Sequence, residues 1–472
     1  MKLNDALIDA WEKALDHASD RPAIFATTGE VLRLFCEIEE QARDFEAKID
    51  MFDPGSVVAI QIGNHQDWPS ILLACLRREL IVLPLEQSIS EQQRGTALSI
   101  CCASAVVAPK AFGANSHEVL ALRRRASTTR DWGDHPPSLL KLTSGTTAAP
   151  RAIRFRSEQL LADCNQICDT MGITDADLNF GVIPISHSYG LSNLLTPLIA
   201  RGVPMVLSRD RLPRAVLADL ARTNATVFPG MPVFYQAFCE MEDVPALPKL
   251  RLCISAGAPL PVVVARKFSE KFKLSIHSFY GASECGGICY DREPANEIEG
   301  FVGQPMRGVE MKMDRPMAYV SHVHVSHVSV RSAAVGDGYF PEPDTEKLST
   351  GCFIPDDLLL KHEAGFQIVG RSSDVINVAG KKVNPAEVEA HLLRFMGVRQ
   401  VVVFGRESAL RNEEVAACVV ADADVSEAEL LQFCRGELSD WQVPRRIFMV
   451  DAVPVNERGK ISRRELGRRF AW

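Results

Sequence analysis

The stretch Lys141-Leu-Thr-Ser-Gly-Thr-Thr-Ala-Ala-Pro-Arg151 joins an apolar segment to a row of hydroxyl side chains around one glycine. The leucines at its start predict a short buried strand, and the row itself predicts a bendable polar loop. Such a loop can surround a phosphate chain with backbone N–H groups and hydroxyl donors, and Arg151 adds positive charge at its far end. The spacing is not that of a Walker loop, and a surface Ser/Thr turn is the alternative interpretation.

The composition is that of an ordinary globular protein. The chain has 472 residues, of which 46% are hydrophobic and 24% charged. This length predicts a large domain and a smaller one. The formal net charge of -8 argues against a general attraction to nucleic acid or acidic membranes. No apolar run is long enough to span a membrane, and the start of the chain does not resemble a signal peptide.

Thirteen cysteines are scattered along the chain, without a CxxC pair or a zinc-type spacing to histidine. The neighbouring cysteines at 101 and 102, 164 and 168, and 285 and 289 are predicted to be small core residues. Their number and scatter indicate a reducing, cytoplasmic compartment. Metal binding by these pairs is the alternative.

Apolar periodicity predicts that helices and strands alternate over the first 140 residues. Helices are expected at 4–18, 31–48 and 68–78, and strands at 23–25, 57–62, 81–85 and 105–108. This alternation predicts a parallel α/β sheet. A second α/β unit is expected to follow, and it begins with a helix over 157–171 that Ser157 is expected to cap.

From about residue 300 the pattern changes to short alternating segments, which predict antiparallel strands or a small β-barrel. His322, His324 and His327 allow a metal-site interpretation there, although no carboxylate accompanies them. After Gly370-Arg371 strands and helices alternate again, and a separate α+β domain of about 100 residues is expected. The predicted domains are 1–370 and 371–472.

Several later motifs follow the opening stretch in a fixed order. They are Tyr280-Gly-Ala-Ser-Glu284, Gly370-Arg371 with Asn384-Pro-Ala-Glu-Val-Glu389, and Pro454-x-x-x-x-Gly459-Lys460. Together with Thr143–Thr147 they resemble the core motifs of the adenylate-forming superfamily, which includes acyl-CoA and aryl-CoA synthetases. The resemblance covers residues 140–466 and, more loosely, the residues before them. It implies an α/β with α+β fold: a large N-terminal domain of two α/β subdomains plus a small β-barrel, and a small mobile C-terminal α+β domain.

The resemblance also implies a reaction in which a carboxylic acid attacks the α-phosphate of ATP, forms an acyl adenylate and releases pyrophosphate. Both reactants are anions, so the site must supply positive charge and oriented donors. By resemblance, Glu284 binds Mg²⁺, and Lys460 meets the α-phosphate and the attacking carboxylate. The β- and γ-phosphates are expected on the loop residues Thr143, Ser144, Gly145, Thr146 and Thr147, with Arg151 at its end.

Other residues are assigned to the nucleotide by the same resemblance. Tyr280 would stack on adenine, with a core tyrosine as the alternative, and Gly281 and Ser283 belong to the same motif. The ribose hydroxyls would be accepted by Asp357, with Asp356 as a rival. Arg371 would reach the ribose or phosphate, unless it is a plain linker charge. The adenine-binding turn is expected at Gly257, Ala258 and Pro259.

His187 lies in a PxxHxxG segment that borders the carboxylate pocket in the family, although a buried histidine with satisfied hydrogen bonds is the alternative. The acid itself is not readable from the sequence. Small side chains at Ala282, Gly286 and Gly287 are expected to leave room for it. The pocket is expected to draw on His187, Tyr189, Phe228, Gly257 and residues 280–288.

The second half-reaction in the family transfers the acyl group to a thiol. A hinge just after Arg371 lets the small domain turn and withdraw Lys460, and Gly380 matches the glycine loop that faces the pantetheine arm. This implies coenzyme A, or the arm of a carrier protein, as the acceptor.

The chain departs from the family pattern at several positions. Alanines stand where the phosphate loop usually has glycine, and arginine replaces its lysine. The hinge position is Ser373, and Pro355 precedes the acidic pair. These positions leave two alternatives open: an enzyme that loads a carrier protein or an amine, and a non-catalytic nucleotide-binding protein. The departures are Ala148, Arg151, Ala152, Pro355, Ser373 and Gln442.

Overall fold

The computed structural model describes residues 5–110, 119–127, 130–143, 151–294, 297–320, 323–378, 381–408, 412–454 and 462–470, with backbone alone at 314–320, 323–327, 373, 382, 408 and 412. The chain forms two compact units. The larger comprises 1–311, 329–354 and 363–366, and the smaller comprises 312–328, 355–362 and 367–472. The predicted domain limit at 370 and 371 stays a prediction.

The larger unit contains two sheets with helices between their strands. The first sheet has the strand order Gly338–Phe340, Ala152–Phe155, Leu139–Leu142, Ile81–Pro84, Val57–Ile60, Ala103–Pro109 and Leu120–Arg124. The second has the order Phe301–Pro305, Gly286–Tyr290, Ile276–Ala282, Leu252–Ser255, Val227–Gly230, Asn179–Gly181, Met205–Leu207, Pro22–Ala26 and Val31–Leu34. The predicted α/β fold with two α/β subdomains is therefore confirmed.

Helices connect the parallel strands of both sheets because a parallel connection needs a crossover. Their apolar faces are buried, as in Phe35–Ile49, where Phe35, Ile38 and Ala42 are inaccessible to solvent. The helices are Ala6–Ala18, Phe35–Ile49, Trp68–Arg77, Glu91–Ile100, Ser157–Met171, Ser188–Gly190, Thr196–Arg201, Pro213–Thr223, Pro232–Glu240 and Val262–Phe272, with a π-helical turn at Leu191–Leu195.

Antiparallel strands follow from residue 309, as the alternating pattern predicted. Val330 and Leu348 both pair with Phe353, one on each side of the strand Cys352–Phe353. The strands of this region are Val309–Val320, Val323–Ser332, Leu348–Ser349, Cys352–Phe353, Asp357–His362 and Gly365–Arg371.

The smaller unit ends in an α+β fold, as expected. Its sheet has the order Lys381–Val383, Ile376–Val378, Asn412–Ala421 and Val398–Ser408, and Arg446–Met449 runs parallel to Asn412–Ala421. The helices Pro385–Leu392 and Glu427–Glu437 help to enclose a core that includes Val388, Leu392, Val403 and Leu430. A last helix, Arg463–Arg469, and a 3-10 turn, Ser372–Asp374, complete the described elements of this unit.

Two local predictions were wrong. The expected helix over 31–48 begins only at Phe35, because Val31–Leu34 forms a strand that pairs with Pro22–Ala26. Ser157 does not cap its helix: it is the first helical residue, and its hydroxyl donates to Asp5 Oδ2 instead. Strand pairing overrides the helical periodicity of Val31–Leu34, and a hydrogen bond to the distant Asp5 takes the place of the expected cap at Ser157.

The last helix lies very close to the strand Val398–Ser408. A Cβ added at Gly467 would be 2.4 Å from the Gly405 carbonyl oxygen, whereas one added at Gly436, in Glu427–Glu437, has nothing within 4 Å. Leu466 is buried against Val402 and Phe404. Glycine at 467 therefore allows the helix to pack against the backbone of the strand.

We expect Gly467→Ala to lower the free energy of unfolding by ~1–3 kcal/mol, because the added methyl group displaces the helix from the Gly405 carbonyl. The matched variant Gly436→Ala should raise it by up to ~1 kcal/mol, because alanine has the higher helix propensity. Equilibrium urea unfolding of both variants tests this difference. Equal shifts for the two variants would show that the last helix is not packed as described.

Candidate functional site

The parallel strands of the second sheet end at one edge and deliver the predicted site segments there. Asn179–Gly181, Val227–Gly230, Leu252–Ser255 and Ile276–Ala282 are neighbours in parallel pairings. Ligands of open α/β sheets bind outside the carboxyl ends of the strands. The segments that follow these ends contain His187, Gly257 and Glu284, and Tyr280 lies near the end of the strand Ile276–Ala282, so this edge is the candidate site.

The two ends of the predicted phosphate loop are joined. The strands Leu139–Leu142 and Ala152–Phe155 pair antiparallel, and the Thr143 N–H donates to the Arg151 carbonyl oxygen at 2.8 Å. The Thr143 hydroxyl donates to the same oxygen at 3.1 Å. The two strands therefore form an antiparallel pair, and the predicted site residues Thr143 and Arg151 lie side by side at its end.

Arg151 and Glu284 are linked through a tyrosine that was not predicted. The Arg151 guanidinium lies 4.2 Å from the centre of the Tyr339 ring, a cation–π distance. The Tyr339 hydroxyl donates to Glu284 Oε1 at 3.0 Å. Burial raises the pKa of the Tyr339 phenol and the Glu284 carboxylate raises it further, so the phenol stays protonated and donates at neutral pH.

Arg151 also faces a second anion, Asp344, whose Oδ2 lies 3.7 Å from its Nη1. Tyr339 and Asp344 have no recognisable motif in the sequence. Tyr339 reaches the site because Gly338–Phe340 pairs with Ala152–Phe155, with Tyr339 opposite Ile153. The two paired strands are far apart in the sequence, so a search for local motifs could not have found this contact.

The His187 turn lies against the turn that contains Glu284. The Ser188 hydroxyl donates to the Ser283 hydroxyl at 3.1 Å. His187 is exposed, and its Nδ1 accepts from the Tyr189 N–H at 3.3 Å. The alternative of a buried histidine is thereby excluded, and the ring stands at the surface of the candidate site.

Gly190 explains the last position of the PxxHxxG segment. A Cβ there would lie 2.1 Å from the Pro184 carbonyl oxygen, so only glycine lets the turn close. Tyr189 is buried, and its hydroxyl donates to the Gly230 carbonyl oxygen at 3.3 Å. Tyr189 is therefore a buried residue that ties this turn to the end of the strand Val227–Gly230, and its predicted place in the acid pocket stays a prediction.

The predicted adenine turn follows the strand Leu252–Ser255. Gly257 has a φ of +84°, which favours glycine, and Gly257, Ala258 and Pro259 are exposed. Tyr280 is 8% exposed and lies on the neighbouring strand, where Ser278 pairs with Ser255. The turn and Tyr280 thus reach the same sheet edge, and Gly281 and Ser283 follow on the same hairpin.

Two buried hydroxyls lie in these turns. Among the buried side-chain atoms that the structure describes, Ser186 Oγ and Ser255 Oγ have no hydrogen-bond partner. Ser186 precedes His187, and Ser255 precedes the adenine turn. An unpartnered buried hydroxyl is costly unless a ligand bonds to it, so both positions are compatible with a polar ligand.

Asp357 and Arg371 are paired within the smaller unit. Arg371 Nε donates to Asp357 Oδ1 at 2.9 Å, and the arginine side chain is 65% exposed. Asp356, the rival, is exposed, and its carbonyl oxygen accepts from the Ser372 N–H at 2.8 Å. The structure therefore brings the two predicted ribose-site residues together and leaves Arg371 accessible.

Two charged side chains, Lys141 and Asp163, are buried beside the candidate site. Lys141 is 5% exposed, and its Nζ lies 4.2 Å from the centre of the Phe155 ring. Burial lowers the pKa of the Lys141 ammonium, and the Asp163 and Glu284 carboxylates oppose that shift. Lys141 is therefore close enough to both acids to act on them electrostatically, and the sequence offered no sign of this.

The glycines at 286 and 287 do not leave room for a substrate, contrary to expectation. A Cβ at Gly286 would lie 2.1 Å from Asp163 Oδ1, and one at Gly287 would lie 2.5 Å from Met306 Sδ. The Gly287 N–H donates to Asp163 Oδ1 at 2.9 Å. These glycines accommodate protein side chains, because the Asp163 carboxylate occupies the space beside them.

A cavity of about 430 Å³ adjoins the predicted adenine turn. Leu260 follows that turn, and Ser278 lies two residues before Tyr280; Asp291 and Gln304 also line it. None of its lining residues belongs to the predicted acid pocket, so the cavity is not that pocket.

Several predicted residues lie outside the described part of the chain. They are Ser144, Gly145, Thr146, Thr147, Gly380, Lys460 and His322. The side chains of His324, His327 and Ser373 are not described either. Their assigned roles stay predictions.

A Mg²⁺ ion fits the residues present at Glu284. Mg²⁺ is commonly held by one or two carboxylates together with substrate phosphates. Glu284 is partly exposed and follows the sheet edge, within reach of the Tyr339 donor. In the described ranges no group of three or more His, Cys, Asp or Glu residues could hold a metal ion by itself. No helix in the same ranges is long and apolar enough to cross a membrane.

Comparison with known proteins agrees with this geometry. The family described as AMP-binding enzyme matches residues 35–340, and the AMP-binding enzyme C-terminal domain matches 387–460. A probable CoA ligase of Humulus lupulus is 25% identical over 100% of this chain and 97% of its own. A 3,4-dihydroxybenzoate–[aryl-carrier protein] ligase of Bacillus anthracis is 27% identical over 70% of this chain and 73% of its own.

A solved structure has the same fold. The ATP-bound MatB from Rhodopseudomonas palustris aligns with a TM-score of 0.84 at 23% identity, over 98% of this chain and 99% of its own. The match to the family covers more than half of the chain and includes every site segment of the larger unit described above. The chain belongs to the AMP-binding enzyme family of adenylate-forming proteins.

Proposed function

We propose the following function from the family, its named relatives and the site geometry. The chain is an AMP-forming acid–thiol ligase. It activates a carboxylic acid with ATP as an acyl adenylate, releases pyrophosphate, and transfers the acyl group to a thiol, which is coenzyme A. The relatives named as CoA ligases support this acceptor.

The observation that carries the proposal is the link from Arg151 through Tyr339 to Glu284. It joins the base of the phosphate loop to the predicted Mg²⁺ ligand. By resemblance to the family, both residues serve the same triphosphate, Arg151 through its charge and Glu284 through Mg²⁺. A surface Ser/Thr turn would have no reason to share a tyrosine with that carboxylate.

The first half-reaction needs three contributions from the protein. The hydroxyls and N–H groups of 143–147 donate to the β- and γ-phosphates, and Arg151 adds positive charge. Glu284 holds Mg²⁺, which neutralises phosphate charge when bound. Lys460 brings its ammonium to the α-phosphate and the substrate carboxylate. The carboxylate oxygen then bonds to the α-phosphorus, and the bond to pyrophosphate breaks.

Other residues bind the nucleoside and the acid. The turn 257–259 and Tyr280 hold adenine, and Asp357 and Arg371 hold the ribose. His187 orients the acid at the exposed edge of the site. In the second half-reaction a thiolate attacks the acyl carbonyl carbon and AMP leaves; Gly380 lines the path of the thiol. We also propose a cytoplasmic location, because the thirteen cysteines are free.

A carrier-protein thiol is the second candidate acceptor. It is favoured by the relative that loads an aryl carrier protein. The acid is not defined by the described residues, so the test is a panel of carboxylic acids scored by pyrophosphate release. Positive acids are then offered coenzyme A, a holo-carrier protein or an amine. Absence of thioester formation with coenzyme A would reject the first candidate, and absence of any acid-dependent release would reject the enzyme.

The Mg²⁺ role of Glu284 predicts a graded loss of activity. Glu284→Gln should reduce acid-dependent pyrophosphate exchange about 100-fold, because it removes the charge that holds the ion. Tyr339→Phe should reduce it about tenfold and raise the Mg²⁺ concentration needed, because it removes only the supporting donor. The exposed Glu270→Gln serves as the control. If Tyr339→Phe left the Mg²⁺ requirement unchanged, the tyrosine would not support the ion.

The role of Lys460 predicts a loss confined to the first half-reaction. Lys460→Ala should lower exchange about 100-fold, because the α-phosphate loses its mobile cation. Thioester formation from a synthetic acyl adenylate and coenzyme A should change less than about threefold. Equal losses in both steps would contradict the assignment. The neighbouring exposed Arg464→Ala is the charge-matched control.

A further inference from the structure

The Arg463 guanidinium joins three segments of the smaller unit. Its Nη1 lies 2.6 Å from Asp374 Oδ2, and its Nη2 lies 2.9 Å and 3.1 Å from the two oxygens of Glu389. Its Nε donates to the Val403 carbonyl oxygen at 2.9 Å. Asp374 ends the turn Ser372–Asp374, Glu389 belongs to the helix Pro385–Leu392, and Val403 belongs to the strand Val398–Ser408 at the edge of the sheet.

These contacts form a closed network. Glu389 Oε1 also accepts from the Val403 N–H at 2.8 Å, so arginine, carboxylate and strand are bonded to one another in a ring. The side chains of Arg463, Asp374 and Glu389 are 28%, 25% and 15% exposed, so the pairs are partly shielded from water. A planar guanidinium can direct its donors to all three partners at once, and a lysine ammonium cannot.

Arg463 occupies a particular place in the chain. It is the first residue of the last helix and follows Lys460 by three residues. The helix is held by Leu466, which is buried, and by Ser462, whose hydroxyl accepts from the Glu465 N–H at 3.3 Å. Apolar packing therefore fixes the body of the helix, and Arg463 ties its beginning to other segments.

The other end of the network lies beside the predicted hinge. Asp374 follows Ser373 directly, and the Ser372 N–H donates to the Asp356 carbonyl oxygen. Arg371, the next residue towards the N-terminus, bonds to Asp357. The turn 372–374 is therefore bonded on one side to Asp356, directly before the strand Asp357–His362, and on the other side to Arg463.

We propose that Arg463 is a positioning residue for the first half-reaction. It bonds the beginning of the last helix, three residues after Lys460, to the turn at the predicted hinge, and through this link it directs Lys460. The lysine ammonium then reaches the α-phosphate in a reproducible position. This inference rests on the proposed function of Lys460 and assigns a new role to the arginine that acts through it.

A purely structural role makes different predictions. If Arg463 only stabilised the smaller unit, its loss would lower both half-reactions together and lower the melting temperature in proportion. If it positions Lys460, its loss should lower adenylate formation selectively. Misplacement of a reacting group by about 1 Å can cost about 100-fold in rate. The two half-reactions, measured separately on the full-length chain, therefore distinguish the roles.

The test compares Arg463→Met, Arg463→Lys and the exposed neighbour Arg464→Met. With the acid that gives the fastest exchange in the panel, Arg463→Met should lower pyrophosphate exchange about 100-fold. Its thioester formation from the synthetic adenylate should fall less than about threefold. Arg463→Lys should be intermediate, and Arg464→Met should match the parent. Equal losses in both half-reactions, or no loss for Arg463→Met, would overturn the proposal.

A double variant tests the route through Lys460. In the Lys460→Ala background, Arg463→Met should lower pyrophosphate exchange by less than about twofold, because the lysine that Arg463 positions is absent. Asp374→Asn and Glu389→Gln should each show the same selective loss, smaller than that of Arg463→Met. They keep the proposal testable if Arg463→Met does not fold. Additive losses for Lys460 and Arg463 would show that the arginine acts independently of the lysine.

Hydrogen–deuterium exchange gives a readout that needs no substrate. Arg463→Met should speed amide exchange in residues 372–374 and 463–469 together, and Arg464→Met should leave both unchanged. Faster exchange in the last helix alone would overturn the link to the turn. Failure of the parent chain to release pyrophosphate with any acid would reject the proposed function. The amide-exchange measurement would still decide whether residues 372–374 and 463–469 are coupled.

Discussion

The bond from the Thr143 N–H to the Arg151 carbonyl oxygen closes the hairpin on which the candidate site depends. It joins two strands of the first sheet at the point where the hydroxyl-rich segment begins and ends. Because both ends of the segment are tied together, Thr143 and Arg151 lie next to each other. A phosphate chain carries its charge on several oxygens, so its binding needs donors and positive charge that lie close together.

The electrostatics of the site follow from two layers of charge. In the outer layer, Arg151 and Glu284 both contact Tyr339. The Arg151 guanidinium lies over the ring, and the hydroxyl donates to Glu284. Below them, Lys141 is buried within electrostatic reach of Asp163 and Glu284. A buried ammonium is costly without nearby negative charge. The two acids thus stabilise the charged form of the lysine.

The smaller unit has a corresponding polar centre. Arg463 bonds to a turn, a helix and a strand, and the close approach of Gly467 to Gly405 holds the last helix against the same strand. The predicted hinge segment and the beginning of the last helix therefore belong to one bonded network. On the proposed role of Lys460, this network would help to position the lysine, because a reacting group must be placed accurately.

The sequence by itself determined the order of elements, the two α/β subdomains, the α+β C-terminal fold and the family. Periodicity and glycine-rich motifs are local properties, so a linear reading can detect them. The resemblance also assigned Thr143, Arg151 and Glu284 to one ligand. Val31–Leu34 is a strand that pairs with the nearby Pro22–Ala26, although its apolar spacing also fits a helix. Only the tertiary structure decided that Tyr339 connects Arg151 to Glu284 and that Asp163 occupies the space beside Gly286. These contacts join segments that are distant in the sequence, and no local pattern encodes which distant side chain will complete a contact.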